Sequence, residues 1–487
     1  MDSTGFFKIL ECKYYTFVGI SVSYLFTVTI IALYFYLFKN INIIKHIKID
    51  KVKITIIIFL IINIIACVLS PYLKKYNLFV GVGRGEGLIT ISLYTITFLF
   101  VTLFGKFKKE YIYFFSISSI LFNSIAILQF VGFNPLNIFQ GGLGIHNASF
   151  MGTIGNVNFI SAYFSIVLTI STAAFIFLDD NKKYKVIHLV SILMGWIIFQ
   201  VINVNGGRLA FLVTITIFAP FIILKSERFS RLLKVMSTLM VAYFINLTIN
   251  PEYHYALGKV GLYFKFDWMS LTFITLSIIF LLLAYALSKC EFDYVKKKNI
   301  IIFYVLIIGL VFLVIIGIYV YDFTPRYKLI YEVHELLHGN LNDDYGTYRM
   351  FLWKRSVTLI QDYPLLGTGP DTFTPRFMDK YTQDIVKLDG KISINDTAAN
   401  VYLTMCINIG IAGLITYITF LVILIRKIFK NYNVYSLVIL SGVICYMVHD
   451  LVSLWAVIVT PIFWITMALF YISVINYNKK EGKEEIK

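Results

Sequence analysis

The chain has 487 residues, of which 59% are hydrophobic and 14% charged, and its formal net charge is +16. Soluble domains typically have about one quarter charged residues and just under half apolar ones, so this composition excludes an ordinary soluble protein and predicts a membrane protein. The positive charge does not indicate a nucleic-acid partner, because the Lys and Arg residues lie in short runs between apolar segments rather than on one basic module.

The apolar segments predict about thirteen membrane-spanning helices, because each is close to the roughly 20 residues that cross a bilayer. The first segment follows Lys8 and Lys13, but it is too long for a signal peptide and no small-residue cleavage site follows it, so we interpret it as a spanning helix. The predicted fold class is therefore an all-α polytopic membrane protein with one large extracytoplasmic helical loop. The predicted spans are residues 17–38, 53–70, 87–104, 111–131, 157–178, 186–204, 208–224, 233–250, 268–288, 300–320, 401–425, 434–451 and 455–476.

The basic residues predict how these spans are oriented. With the N-terminus outside, the inner connections hold 26 of the 43 Lys and Arg residues, whereas the outer connections apart from the long loop hold eight, as the positive-inside rule requires. We therefore divide the chain into residues 1–320 with ten spans, an extracytoplasmic loop at 321–400, residues 401–476 with three spans, and a cytoplasmic tail at 477–487. In the loop, 328–337 and 347–360 predict short helices and 364–370 a glycine-rich turn, which suggests a helical cap over a site.

Three arginines on the predicted outer side run against the positive-inside bias and are candidate binding residues. Arg84 lies among glycines that let backbone approach a ligand, and Glu86 is placed to orient it; the alternative is a salt-bridged helix start. Arg208 opens a helix, where an anion would also meet free backbone N–H groups; the alternative is an arginine that reaches lipid phosphates. Arg349 shares a helix face with Trp353. If the three converge, they would bind a di-anionic group such as a pyrophosphate.

The seven histidines show no metal-ligand spacing. His334 and His338 are four residues apart but lack a third ligand, so we expect no metal and no other cofactor. His449 and Asp450, near the last outer turn, are predicted to hydrogen-bond to each other in a structural role.

Several short motifs, taken in order, resemble the O-antigen ligase and polymerase family of bacterial surface polysaccharide assembly. Each motif is weak alone, but their order, spacing and position relative to the loop are fairly specific. They are residues 83–87 (GRGEG), 152–159 (GTIGNVNF), 206–210 (GGRLA), Arg349 with Trp353, 364–370 (PLLGTGP), 400–403 (NVYL) and 410–414 (GIAGL).

The resemblance implies an enzyme of the outer face of the cytoplasmic membrane that uses a polyprenyl-pyrophosphate-linked sugar and needs neither a nucleotide sugar nor a metal. It implies that Arg208 and Arg349 bind the pyrophosphate, with Arg84 as a helper and Glu86 and Tyr402 in support. Fixed guanidinium groups would stabilise the negative charge that develops on the leaving group.

The sequence departs from the family at one position. The family carries a His-Asn pair before the last helices, and its imidazole is thought to take the proton of the acceptor hydroxyl, but here Ala399 precedes Asn400. Loss of a general base usually costs about 10²- to 10⁴-fold in rate. Three interpretations remain: an engineered inactive form, which we favour, a naturally degenerate member, or a mechanism that uses Asp396 or His338.

The leading hypothesis is thus a glycosyltransferase whose partners are the lipid-linked oligosaccharide donor, a sugar or other surface acceptor, and membrane lipid. It would act as a polymerase, as a ligase, or as a protein O-oligosaccharyltransferase. A transporter or flippase of lipid-linked oligosaccharide is the alternative from another class. It predicts charged residues at mid-membrane, whereas here the predicted spans carry scattered uncharged polar residues.

Overall fold

The structure is a computed structural model that describes residues 4–39, 49–133, 135, 150–179, 181–254, 259–321, 328–346, 348–389, 395–429 and 432–476. Within these residues the strands form only two hairpins, β1 (Phe150–Met151) with β2 (Gly155–Asn156), and β3 (Ile249–His254) with β4 (Lys259–Phe264). The helices are α1 (Thr4–Lys39), α2 (Lys51–Val68), α3 (Leu88–Phe104), α4 (Glu110–Phe130), α5 (Val157–Phe177), α6 (Lys182–Val201), α7 (Asn205–Ile223), α8 (Ser226–Thr248), α9 (Trp268–Ser288), α10 (Lys297–Val320), α11 (Lys328–Leu337), α12 (Arg349–Asp362), α13 (Phe373–Asp389), α14 (Val401–Arg426), α15 (Val434–His449) and α16 (Thr460–Asn476).

This architecture confirms an all-α polytopic membrane protein. Each of the predicted spans coincides with a helix, and ten helices in the described part of the chain are long and apolar enough to cross a membrane. The other three are α3 and α16, which are shorter, and α8, whose first turns carry charged residues. The number thirteen therefore stays a prediction.

Helix α5 forms the centre of the bundle, where it packs against α4, α6, α7, α8 and α15. Its apolar window is buried along its whole length, whereas α10 has no buried residue and is placed to face lipid. Two buried serines on α5 donate to carbonyls of the same helix, Ser165 to Ala162 and Ser171 to Val167, each at 2.7 Å. Small residues allow close approach: a Cβ on Gly442 of α15 would come within 2.7 Å of Ile170.

Helix α14 is broken at Gly410, whose φ of 72° and ψ of −179° are not helical. The turn at 364–370 supplies hydrogen-bond partners to the backbone groups at the break. Ile411 N–H donates to the Pro364 carbonyl at 2.8 Å, and the Thr368 and Gly369 N–H groups donate to the Asn408 carbonyl at 3.1 and 2.7 Å. Non-helical backbone at membrane depth requires such partners, because lipid offers none. The turn and the broken helix therefore form one unit that joins the outer loop to the bundle.

The loop between α10 and α14 contains three helices. Helix α11 has the bounds predicted from the sequence, α12 begins two residues later than predicted, and α13 was not predicted. Helix α13 buries Phe373, Phe377 and Ile385, which are separated by four and eight residues. Apolar residues at this spacing are typical of one face of a helix, so the pattern indicates α13 in the sequence. Its Arg376 is 3% exposed and donates from Nη1 to the Ile407 carbonyl at 3.0 Å and from Nη2 to the Leu359 carbonyl.

We predict that Gly410→Ala weakens this unit. A Cβ at Gly410 would lie 2.1 Å from the Leu365 carbonyl oxygen, and the backbone there has a φ of +72°. The free energy of unfolding should fall by about 2 kcal/mol or more, measured as a lower midpoint of thermal unfolding in detergent. The matched control is Gly309→Ala on α10, where a Cβ meets nothing within 4 Å. Equal midpoints for the two variants would contradict this role of Gly410.

Candidate active site

The segment before α3 wraps around the carboxylate of Asp371, which follows the 364–370 turn. Oδ2 of Asp371 accepts hydrogen bonds from the N–H groups of Gly83 at 3.0 Å and Arg84 at 3.2 Å. Gly81 has a φ of 111°, and a Cβ there would lie 2.4 Å from the same oxygen. Burial raises the pKa of Asp371 to about 6, although the backbone N–H groups oppose that shift. Glycines in the segment 81–87 therefore let the backbone enclose the carboxylate of Asp371.

The guanidinium group of Arg84 joins three parts of the chain. Its Nε donates to Oδ2 of Asp396 at 2.6 Å, and its Cζ lies 5.3 Å from the ring centroid of Phe159 on α5. The side chain of Arg84 is 17% exposed, and that of Asp396 is 29% exposed. Arg84 thus connects the segment before α3 with the segment before α14, next to the central helix.

Arg84 and Glu86 line a cavity of about 60 Å³ between the outer segments and the bundle. The carboxyl group of Glu86 is buried, and its Oε1 accepts a hydrogen bond from the Tyr94 hydroxyl at 2.8 Å. Burial raises the pKa of Glu86 to about 8, with a further contribution from Asp371. The other lining residues are Phe59, Asn63, Ile91, Pro370, Asp371, Thr397, Val401, Thr404, Met405, Asn408, Ile409, Leu454 and Trp455.

The segment that contains the position of the expected base is tightly held. Ala399 has a φ of 48°, in the left-handed region, and its N–H donates to Thr397 Oγ1 at 3.1 Å. Trp353 Nε1 donates to the Ala398 carbonyl at 3.0 Å, which joins α12 to this segment. Asn400 is the N-cap of α14, because its side chain accepts from the Leu403 N–H at 3.0 Å.

Arg349 is the first residue of α12 and points toward the turn after α15. Its Nη1 donates to the Gly346 carbonyl at 3.0 Å, and its Nη2 to the Val452 carbonyl at 3.4 Å. Burial lowers the pKa of Arg349 from its ordinary value. Tyr402, near the start of α14, reaches the end of α15, where its hydroxyl donates to the Met447 carbonyl at 2.9 Å.

Arg208 lies in the first turn of α7 and closes the end of α6. Its Nη1 donates to Asn203 Oδ1 at 3.0 Å, and its Nη2 donates to the carbonyls of Phe199 and Gln200 at 3.2 and 3.3 Å. Cationic side chains are favourable there, because the last carbonyls of a helix are unsatisfied.

The surroundings of Arg208 and Arg349 meet at Val452. A Cβ on Gly206, two residues before Arg208, would lie 2.8 Å from Val452 Cγ2, and the Val452 carbonyl accepts from Arg349. Arg84 lines the cavity described above, whereas Arg208 is held against the end of α6 and Arg349 against Val452. The hypothesis that all three guanidinium groups meet one ligand stays a prediction.

His338 and the adjacent residues His449 and Asp450 lie in different surroundings. His338, at the end of the α11 segment, stacks on Tyr319 with ring centroids 4.4 Å apart and bonds through Nδ1 to the His334 carbonyl at 2.9 Å. His449 and Asp450 do not form the predicted mutual bond. His449 Nε2 contacts Ser161 Oγ at 3.2 Å, while Asp450 accepts from Trp455 Nε1 at 3.1 Å. Consecutive residues of a helix face different directions, which explains the difference.

Sequence analysis missed Asp371, Thr397 and Trp455, which all line the cavity. Asp371 had a usable signal, since it directly follows the glycine-rich turn at 364–370. Thr397 and Trp455 had none, because their place in the site depends on how α14 and the segment after α15 approach each other.

Fold and site together define a polytopic membrane protein with a mostly apolar cavity, into which Arg84, Glu86 and Asp371 bring charged or acidic groups, next to a helical loop. Residues 267–418 match the family model described as O-antigen ligase. The match supports the resemblance found in the motifs, since this part of the chain is similar to the O-antigen ligase family. It indicates an enzyme of the ligase or polymerase type in polysaccharide assembly, which takes a lipid-linked oligosaccharide. No curated protein matches the chain.

We predict that Asp371→Asn changes how stability depends on pH. The folded state holds the proton of Asp371 up to about pH 6, whereas an unfolded aspartate loses it near 3.8, so wild-type stability falls between these values. The asparagine cannot ionise. Relative to the wild type, the variant should therefore gain on the order of 2–3 kcal/mol between about pH 4 and 7.

Thermal unfolding in detergent at both pH values measures this difference. Asp344→Asn, in the exposed part of the loop, serves as the control and should follow the wild type. Parallel behaviour of wild type and Asp371→Asn would show that the carboxylate is not buried at an energetic cost.

Proposed function

We propose that this chain is a membrane glycosyltransferase that transfers or polymerises polyprenyl-pyrophosphate-linked oligosaccharide at the outer face of the bacterial cytoplasmic membrane. The observation that carries this proposal is the family match over 267–418, which covers α9, α10, the loop and most of α14. The presence of Arg84, Glu86 and Asp371 in the otherwise mostly apolar cavity next to the same loop supports it. No metal or nucleotide takes part in the proposed reaction.

The reaction is a single displacement at the anomeric carbon. The acceptor oxygen forms a bond to that carbon, the bond to the pyrophosphate oxygen breaks, and the acceptor hydroxyl gives its proton to a base. We expect inversion at the anomeric carbon. Negative charge grows on the leaving polyprenyl pyrophosphate, so fixed cationic groups stabilise the transition state more than the ground state.

Arg208 and Arg349 are proposed to bind the pyrophosphate, with Arg84 as a helper. Arg208 lies in the first turn of α7, where backbone N–H groups and the helix dipole also favour an anion. The shared contact of both arginine segments with Val452 supports a common site for the first two. Arg84 is already paired with Asp396, so it would bind an anion through its remaining N–H groups.

Ala399 stands at the proposed position of the base. Its left-handed backbone suits histidine and asparagine better than alanine, because those residues are enriched at positive φ. Asn400 keeps the helix-capping bond of the expected His-Asn pair. These features support a site that is intact except for the missing imidazole, and we propose that the chain is inactive or slow as written.

We predict that Ala399→His starts or raises product formation by about 10²- to 10⁴-fold, because an imidazole at this position accepts the acceptor proton. The assay incubates the purified variant with a polyprenyl-pyrophosphate oligosaccharide and resolves the products by size. A regular ladder indicates a polymerase, and single addition to a supplied acceptor indicates a ligase or a protein O-oligosaccharyltransferase.

The matched control is Ala399→Asn, which fits the same backbone conformation but provides no base. Equal activity of the two variants would assign the gain to backbone relief rather than to proton transfer. A folded Ala399→His protein that binds the donor and gives no covalent product would contradict the transferase and favour transport.

In the Ala399→His background, Arg208→Ala and Arg349→Ala should each lower turnover by about 10²- to 10³-fold, because each removes one stabilising donor. Lysine at either position should recover only part, since an ammonium group cannot bind a phosphate bidentately. Arg426→Ala, at the other end of α14, is the control and should leave turnover unchanged. A loss of less than threefold at both positions would exclude them from the pyrophosphate site.

A further inference from the structure

Glu86 lines the cavity described above, and one of its two carboxyl oxygens makes no hydrogen bond within the described part of the chain. Oε1 accepts from the Tyr94 hydroxyl at 2.8 Å, but Oε2 is buried and has no hydrogen-bond partner among the residues that the structure describes. The carboxyl group lines the cavity beside Arg84 and Asp371. A buried oxygen without a partner is costly, so a ligand in the cavity that Glu86 lines would remove this cost by bonding to Oε2.

The cavity also restricts what the ligand can be. Its volume of about 60 Å³ is enough for a compact group such as a phosphate. Arg84 borders it and has guanidinium N–H groups besides the Nε that is bonded to Asp396. An anionic oxygen is the ligand atom that suits such an arginine, provided that Glu86 does not repel it.

The protonation state of Glu86 depends on its surroundings, which include the guanidinium group of Arg84 and several groups that disfavour an ionised carboxylate. Burial is the largest cause and raises its pKa to about 8, so the group is mostly a neutral acid at pH 7. A neutral carboxyl group has one O–H to donate. The titratable and charged residues that interact with Glu86 are Tyr14, Arg84, Tyr94, Asp371 and Tyr446.

We propose that Glu86, as a neutral acid, donates its Oε2 hydrogen to a phosphate oxygen of the donor, next to the guanidinium group of Arg84. This rests on the proposed function and extends it with a binding residue that is sensitive to pH. Ionised Glu86 would both lose the hydrogen and repel the phosphate. A carboxyl group that holds its proton is also unsuited to be the base that Ala399 lacks, so the two roles are separate.

The test measures equilibrium binding of farnesyl pyrophosphoryl-N-acetylglucosamine to the purified chain in nanodiscs. Both phosphates of this diester are ionised throughout the range tested, so the probe itself does not titrate. The wild type should bind about tenfold more weakly at pH 9 than at pH 7, since the protonated fraction of Glu86 falls about tenfold. Asp371 titrates below this range, and tyrosine ordinarily ionises above it.

Three variants make the result specific. Glu86→Gln keeps a neutral donor, so its affinity should stay near the wild-type value at pH 7 and should not change up to pH 9. Glu86→Ala should bind about tenfold more weakly at pH 7 and also lose the pH dependence. Glu110→Gln, at the start of α4, should keep the wild-type profile.

Equal pH dependence in wild type and Glu86→Gln would overturn the proposal, and so would full affinity in Glu86→Ala. Either result leaves the proposed function standing, because binding itself persists. Failure of the wild type to bind at any pH also overturns it, and the Ala399→His turnover assay then decides separately whether the transferase function fails. Unfolding midpoints of the variants show that each comparison is made between folded proteins.

Discussion

The docking of the 364–370 turn into the break of α14 is the interaction on which the outer site depends. Helix α14 gives up its own hydrogen bonds at Gly410, and the turn supplies donors and acceptors in their place. Arg376 adds a further donor to the Ile407 carbonyl. The break therefore fixes the loop against the bundle at membrane depth, and Asp371, directly after the turn, is carried to the segment before α3.

The site built around this unit concentrates carboxylates where water is scarce. Asp371 is stabilised by backbone N–H groups and Asp396 pairs with Arg84, whereas among the described residues Glu86 accepts a hydrogen bond from the Tyr94 hydroxyl alone. Asp371 and Glu86 consequently differ in how readily they ionise, although both line one cavity. An anionic substrate would meet a charged pair, a shielded carboxylate and a neutral acid, rather than a uniformly negative surface.

The segment at 396–400 contains Ala399, the proposed position of the base, and is held in place by bonds from the residues around it. Asn400 caps α14, the Ala398 carbonyl accepts a hydrogen bond from Trp353, and the Asp396 carboxylate pairs with Arg84. These residues around Ala399 therefore each have a structural bond of their own. None of these bonds needs an imidazole at position 399. The fold is thus compatible with alanine or histidine at position 399, whereas the proposed proton transfer requires the histidine.

The sequence by itself determined the membrane class, most of the helical segments and the resemblance to the O-antigen ligase family, because hydrophobic length and motif order are local properties of the chain. It also singled out Arg84, Glu86, Arg208 and Arg349 by their exposure to the predicted outer side. Only the tertiary structure decided that Gly410 breaks a helix, that α13 folds on a phenylalanine stripe, and that Asp371 and Glu86 line one cavity. The break at Gly410 depends on contacts with the 364–370 turn, and the cavity depends on contacts between residues nearly 300 positions apart, such as Gly83 with Asp371. No local pattern records which distant backbone group supplies a missing partner.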